Sequence, residues 1–203
     1  MLLARNGARV RLWGHLSSEI LPLQQQKENQ RYLPGIPFPP GLEATADLVA
    51  ALDGADDLLI AVPSHAFPSV LKALKPHLSD TMGISWATKG LEPSSGRLLH
   101  EVAAEILGPR PIAVVSGPSF AKEVADGLPT AVTIASPLPA YAERIASYLH
   151  ADNFRTYTSP DVIGLEVGGA AKNVMAIGAG ISDGLKFGAN ARAALITRGL
   201  SEM

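Results

Sequence analysis

The chain is 203 residues long, 47% hydrophobic and 18% charged, with a formal net charge of −2 at pH 7 and no cysteine. That composition supports a sizeable core and excludes intrinsic disorder, a broadly basic nucleic-acid surface, a disulfide framework, a thiolate metal site and a cysteine nucleophile. A cysteine-free chain suits a reducing cytoplasm, and its start, Met1-Leu2-Leu3-Ala4-Arg5, lacks a signal peptide's apolar stretch and cleavage site.

In chain order, Leu2 to Gly7 reads as the last turns of a helix stopped at Asn6-Gly7, followed by a strand over 8–13. The Pro/Gly-rich stretch 33–41 reads as an ordered loop, because Ile36 and Phe38 need somewhere to pack. A helix is predicted over 44–53, then a buried strand over 57–62 closed by Pro63, and a helix over 66–75. Strands follow over 83–88 and 111–116, separated by a helix over 95–107. The last α/β segment is a strand over 130–135, a helix over 139–149 and a short strand over 154–158. Continuous apolar strands separated by helices indicate βαβ units, and so an α/β fold with a parallel sheet.

The pattern changes after Ser159-Pro160. From Asp161 it is helical, with a break at 184–188 and a second helix from about Asn190. A domain boundary is therefore expected near 159, dividing the chain into 1–159 and 160–203. Residues 162–181 approach the length of a membrane span, but they carry Glu166, Lys172 and five glycines, so a buried or active-site helix is expected.

Ligands of open parallel sheets sit beyond the carboxyl ends of the strands. Three polar segments fall there: Pro63-Ser64-His65, Lys89-Gly90 and Gly117-Pro118-Ser119-Phe120. Each alone reads equally as an ordinary loop, while together they point to a shared crevice. Lys89 places a cation suited to a phosphate or a polarised carbonyl. Ser119 reads as the N-cap of a helix starting near Ala121, either as a plain cap or as part of an anion site. Lys172 lies in Gly168-Gly169-Ala170-Ala171-Lys172-Asn173. Helical side chains lean over the residues three and four positions back, so the two glycines leave the amine open space. Partial burial there would favour the neutral amine and acid/base chemistry, whereas a lysine snorkelling to water is the alternative. Asn173, about 100° further round, is placed to bond the same ligand. Gly178 to Gly184 imitates a dinucleotide fingerprint, but the spacing is wrong and it lies late in a helix. The five histidines show no metal-ligand spacing.

The run GGAAKNVMAIGAGISDGLKFGAN (168–190), with WATKGLE (86–92), SGPSFAKEV (116–124) and VPSHAF (62–67) in the same order, resembles the bacterial NAD(P)-dependent glycerol-3-phosphate dehydrogenases. The resemblance covers essentially the whole chain. It implies a Rossmann-type domain followed by a helical one, and hydride transfer between NAD(P)H and dihydroxyacetone phosphate, giving sn-glycerol 3-phosphate for phospholipid synthesis. It implies Lys172 as general acid/base at the C2 oxygen, and Lys89 as a contact to both cofactor and substrate. Gly117 and Ser119 resemble substrate positions and Ala121, His15 and Tyr32 cofactor positions, while Asn173 is placed beside Lys172 by helix geometry alone. No acidic residue ends the Trp13 strand, which favours NADP over NAD. The resemblance further implies a cytoplasmic homodimer that neither binds nucleic acid nor inserts into a membrane.

Both ends look cut. A first strand, its Gly-rich phosphate loop and later basic residues of the family pattern are missing, so the 203-residue chain alone is expected not to turn over and to be poorly soluble. A related two-domain dehydrogenase (ketopantoate reductase or 6-phosphogluconate type) and a non-catalytic remnant are the competing readings.

Overall fold

A computed structural model describes residues 1–79 and 81–202. Its helices are α1 (Leu2–Arg5), α2 (Ser17–Gln26), α3 (Leu48–Leu52), α4 (Phe67–Leu74), α5 (Leu99–Leu107), α6 (Ala121–Asp126), α7 (Pro139–Leu149), α8 (Val162–Gly184) and α9 (Ala189–Glu202). Its strands are β1 (Val10–Trp13), β2 (Leu42–Thr45), β3 (Asp57–Ile60), β4 (Gly83–Trp86), β5 (Ile112–Ser116), β6 (Thr130–Ala135) and β7 (Phe154–Ser159).

The strands form two sheets. β1 and β2 pair in parallel, and β3-β4-β5-β6-β7 form a five-stranded sheet in that order. β3, β4 and β5 are mutually parallel, β6 runs antiparallel to β5, and β7 runs parallel to β6. The α/β, Rossmann-type architecture expected from the sequence is present, with this one reversal inside it. The reversal is built at Gly117, where β6 passes very close. A Cβ there would meet the carbonyl oxygen of Ala131 at 2.7 Å and Val132 Cα at 2.9 Å, so the residue must be glycine.

Alternation along β5 divides the core into two layers. Val114 faces one layer, with Ile84, Trp86, Phe67, Leu71 and Leu99, so α4, α5 and the start of α8 cover that face. Ala113 and Val115 face the other, with Ile134, Tyr141, Ile145 and Phe154, under α7. Trp86 and Phe67 are both fully buried and meet edge to face at 5.4 Å.

Several boundaries differ from the sequence expectation. The predicted helix over 44–53 is β2 followed by the short α3. Its leucines and alanines favour helix, but pairing with Val10–Trp13 draws its first two residues, Ala44 and Thr45, into the strand Leu42–Thr45. Asp47 then caps α3 by accepting from the Ala50 amide at 3.0 Å. The predicted helix over 95–107 begins only at Leu99, because Glu92 accepts from the Ser94 and Ser95 amides and folds 92–97 into a turn. Helix α2 was not foreseen, since Pro22 lies inside it. The 33–41 loop is ordered as expected: the Phe38 amide donates to the Lys27 carbonyl and the Gly35 amide to Glu28. The break after Gly184 is also present.

Helix α8 is long and apolar enough to cross a membrane by length and composition. It is not the buried helix offered as one expectation. Only Val162, Glu166, Gly169 and Ser182 on it are buried, while Val174, Ile177 and Ile181 are exposed.

Candidate active site

The three polar segments after β3, β4 and β5 converge. Gly90 has φ +104°, and its Cβ position lies 3.4 Å from Ser64 Oγ, so the second segment rests on the first. Lys89 Nζ donates to the Gly117 carbonyl at 3.1 Å, which ties the second to the third. Helix α8 packs on β5 and, through Glu166, reaches Trp86 at the end of β4. Between it and the sheet lies a narrow crevice walled by Thr88, Lys89, Gly90 and Ser116 on one side and by Leu165, Glu166 and Gly169 on the other.

Electrostatics single out Lys89. Burial, and then the nearby Lys172 ammonium, lower its pKa below the ordinary lysine value. The two amines are therefore close enough to repel, and an anion or developing oxyanion between them would relieve that repulsion. Lys172 itself is exposed, so the burial expected to favour a neutral amine is found at Lys89 instead. The glycine pair also divides its roles. Gly168 has open space around it, as predicted, but a Cβ at Gly169 would meet Ser116 Oγ at 2.9 Å. Gly169 thus lets the helix approach the sheet, rather than making room for the amine.

The remaining predicted residues are placed as follows. Asn173 is exposed one turn beyond Gly169 and seven residues beyond Glu166, on the same helix face. Gly117 supplies the carbonyl that holds Lys89. Ser119 and Ala121 are exposed beside the third segment, but Ser119 does not cap α6: the N-cap is Phe120, without a side-chain hydrogen bond. The cause is a helix that starts one residue later than a Ser119 cap requires. His15 is exposed just past β1, where the Gly14 amide donates to Thr45. Tyr32 is 66% exposed, with the Arg31 guanidinium over its ring at 5.0 Å. Neither is brought to the crevice wall.

Sequence reasoning missed Glu166, Thr88 and Ser116 as crevice residues. Glu166 accepts from the Trp86 indole at 3.1 Å and the His100 amide at 3.1 Å, and its second oxygen lies 2.6 Å from His100 Nδ1. Thr88 Oγ1 is buried and has no hydrogen-bond partner among the described residues. A carboxylate three residues before a close-packing glycine, on an otherwise apolar helix, was the available signal for Glu166. No pattern marked Thr88 or Ser116.

Comparison with known proteins agrees with this geometry. A family model described as NAD-dependent glycerol-3-phosphate dehydrogenase N-terminus matches residues 1–142, and its C-terminus counterpart matches 161–203. The glycerol-3-phosphate dehydrogenase (NAD(P)+) of Thioalkalivibrio sulfidiphilus is 58% identical over the whole chain, and the chain spans 61% of that protein's length. A crystal structure of glycerol-3-phosphate dehydrogenase from Coxiella burnetii superposes with a TM-score of 0.95 at 51% identity, over 99% of this chain and 62% of that one. A ketopantoate reductase from Ralstonia eutropha shares the fold at a TM-score of 0.60 and 20% identity. The chain belongs to the NAD-dependent glycerol-3-phosphate dehydrogenase family.

Proposed function

We propose that the protein carrying these residues catalyses reversible hydride transfer between NAD(P)H and dihydroxyacetone phosphate, giving sn-glycerol 3-phosphate for phospholipid synthesis in the cytoplasm, as a homodimer, while residues 1–203 alone are expected not to turn over. The observation that carries the reading is the crevice at the carboxyl ends of the parallel strands, where Lys89 is held by the Gly117 carbonyl and faces the Glu166–Gly169 turn of α8, the helix that bears Lys172. The residues suit a nicotinamide cofactor's reacting end by their chemistry: Thr88 offers a hydroxyl without a partner among the described residues, and Gly90 lets a backbone approach. When bound, the cofactor supplies or accepts the hydride.

The chain's own groups do the rest. Lys172 exchanges a proton with the C2 oxygen. Lys89, held by the Gly117 carbonyl, orients substrate and cofactor and stabilises negative charge. Gly117, Ser119 and Asn173 line the substrate side, and Ala121, His15 and Tyr32 lie toward the cofactor. The helical part is assigned to 160–203, following an α/β part over 1–159. Glu166, buried against the sheet on α8, supports a cleft-wall role for that helix rather than a membrane-spanning one.

In the protein purified as its gene encodes it, dihydroxyacetone phosphate-dependent loss of NADPH absorbance tests the activity. Lys172→Met is expected to lower kcat by about 10²–10⁴-fold, the range for a lost acid/base group; an unchanged kcat removes Lys172 from the chemistry. Asp or Glu is absent at the end of β1, so NADPH is expected to bind more tightly than NADH. A titration of both reduced cofactors showing preference for NADH would reverse that assignment.

A further inference from the structure

The lysine-bearing half of α8 has little to hold it. Beyond Gly169 the helix packs chiefly on α9, and Lys172, Asn173, Val174, Ala176 and Ile177 are all exposed. Val162 and Leu165 pack its start on the core, and two further contacts seat it on the sheet nearest the lysine. One is Gly169 against Ser116. The other is Glu166, whose side chain is 4% exposed.

Glu166 is bonded to two different elements. Its Oε1 takes the Trp86 indole proton, and Trp86 ends β4 three residues before Lys89. The same oxygen takes the His100 amide in the first turn of α5, and Oε2 pairs with His100 Nδ1. A single buried carboxylate thus joins β4, α5 and α8. Trp86 cannot give way easily, being fully buried against Phe67. Apolar packing would seat the helix with similar energy but without a defined azimuth; directional bonds to two elements fix both height and rotation. Because the helix is stiff, that fixed turn sets where Lys172 stands relative to Lys89, six residues and under two turns later.

We propose that Glu166 is a positioning residue: through Trp86 and His100 it clamps α8 to β4 and α5, and so sets the spacing of the Lys89 and Lys172 amines. This rests on the dehydrogenase reading for its catalytic consequence, though not for the clamp itself.

The test uses the protein as encoded. Glu166→Leu keeps the bulk and removes every acceptor. Its kcat for dihydroxyacetone phosphate reduction is expected to fall about 100-fold, the cost of a misplacement near 1 Å. Glu166→Gln, which retains acceptor and donor, is expected to restore most of that loss. In a Lys172→Met background, Glu166→Leu is expected to cost nothing further, because both changes act through the same amine. Full multiplication of the two losses overturns the proposal, as does a Glu166→Leu enzyme with unchanged kcat. Should Glu166→Leu fail to fold, His100→Phe, which keeps a planar ring at a partly exposed position and removes the Nδ1 partner of the carboxylate, is put through the same cycle and judged the same way. Hydrogen exchange gives a second, activity-independent measure. Amides of 169–176 are expected to exchange faster in Glu166→Leu while those of α7 do not change, and equal exchange overturns the clamp. Absence of dehydrogenase activity in the unaltered protein would remove the proposed function and leave the exchange comparison to decide the clamp.

Discussion

At the scale of single residues, the site illustrates what side-chain identity does and does not reveal. Lys89 and Lys172 were legible because a cation on an apolar background needs a reason to be there. Their environments were not: burial falls on Lys89, and the amine flanked by glycines is the exposed one. Glu166 marked its helix as buried or active-site, but its bonds were not legible, because its partners Trp86 and His100 lie 80 and 66 positions away. Its titration follows from that site. Burial raises its pKa above the ordinary carboxylate value, and the bonds from His100 and Trp86 oppose the rise. A folded pKa above the unfolded one means the folded state holds the proton more tightly. The associated stability is fully present below the unfolded pKa, about 4.3 for Glu, and is lost as pH rises through the raised value. Glu166→Gln cannot ionise, so the stability of the native protein relative to that variant is expected to decline as pH rises from about 4 toward neutrality. Urea midpoints measured in parallel across that range check it, and a difference independent of pH contradicts it.

At the scale of elements, strands were read more reliably than helices. β3, β4 and β5 are apolar runs whose identity survives any register, although β3, expected to be buried, is an edge strand with only Ile60 buried. The mistaken helix over 44–53 shows where local preference loses, since Leu42–Thr45 becomes a strand only because β1 is there to pair with it. The late start of α5 has a different cause, a side chain competing for backbone donors. Glu92 collects the amides and hydroxyls of Ser94 and Ser95, which lowers its pKa to about 2. Helix α2 hid behind Pro22, which removes one helical bond without ending a helix that has Ile20 buried. In each case the deciding partner lies elsewhere in the chain or in an unexpected side-chain bond.

At the scale of the molecule, the change from alternating strands and helices to helices alone after Ser159 was legible, but the direction of travel was not. Strand sense cannot be read from apolar runs, so the reversal between β5 and β6 had no sequence signal beyond the glycine at 117. That reversal makes the sheet a measuring device. Because β6 and β7 run downward relative to β5, the chain leaves the sheet opposite the early part of β5: Ser159 pairs with Ala135, which pairs with Val114. Helix α8 must then climb back to the crevice. From Asp161 to Gly169 it rises about 12 Å at 1.5 Å per residue, and β5 from Ile112 to Ser116 covers about 13 Å at 3.3 Å per residue. The helix thus counts off the height of the strand, with Asp161 as its zero mark, fixed by its cap on the Gly164 amide at 2.7 Å. One alanine inserted between Gly164 and Glu166 would add about 1.5 Å and 100° of rotation, so neither Glu166 nor Lys172 could return to its place while Asp161 keeps its cap. Such an insertion is expected to lower kcat about as far as Lys172→Met, whereas one in the exposed turn at Ser94-Ser95 is expected to be tolerated; equal kinetics for the two insertions would show that the count does not matter.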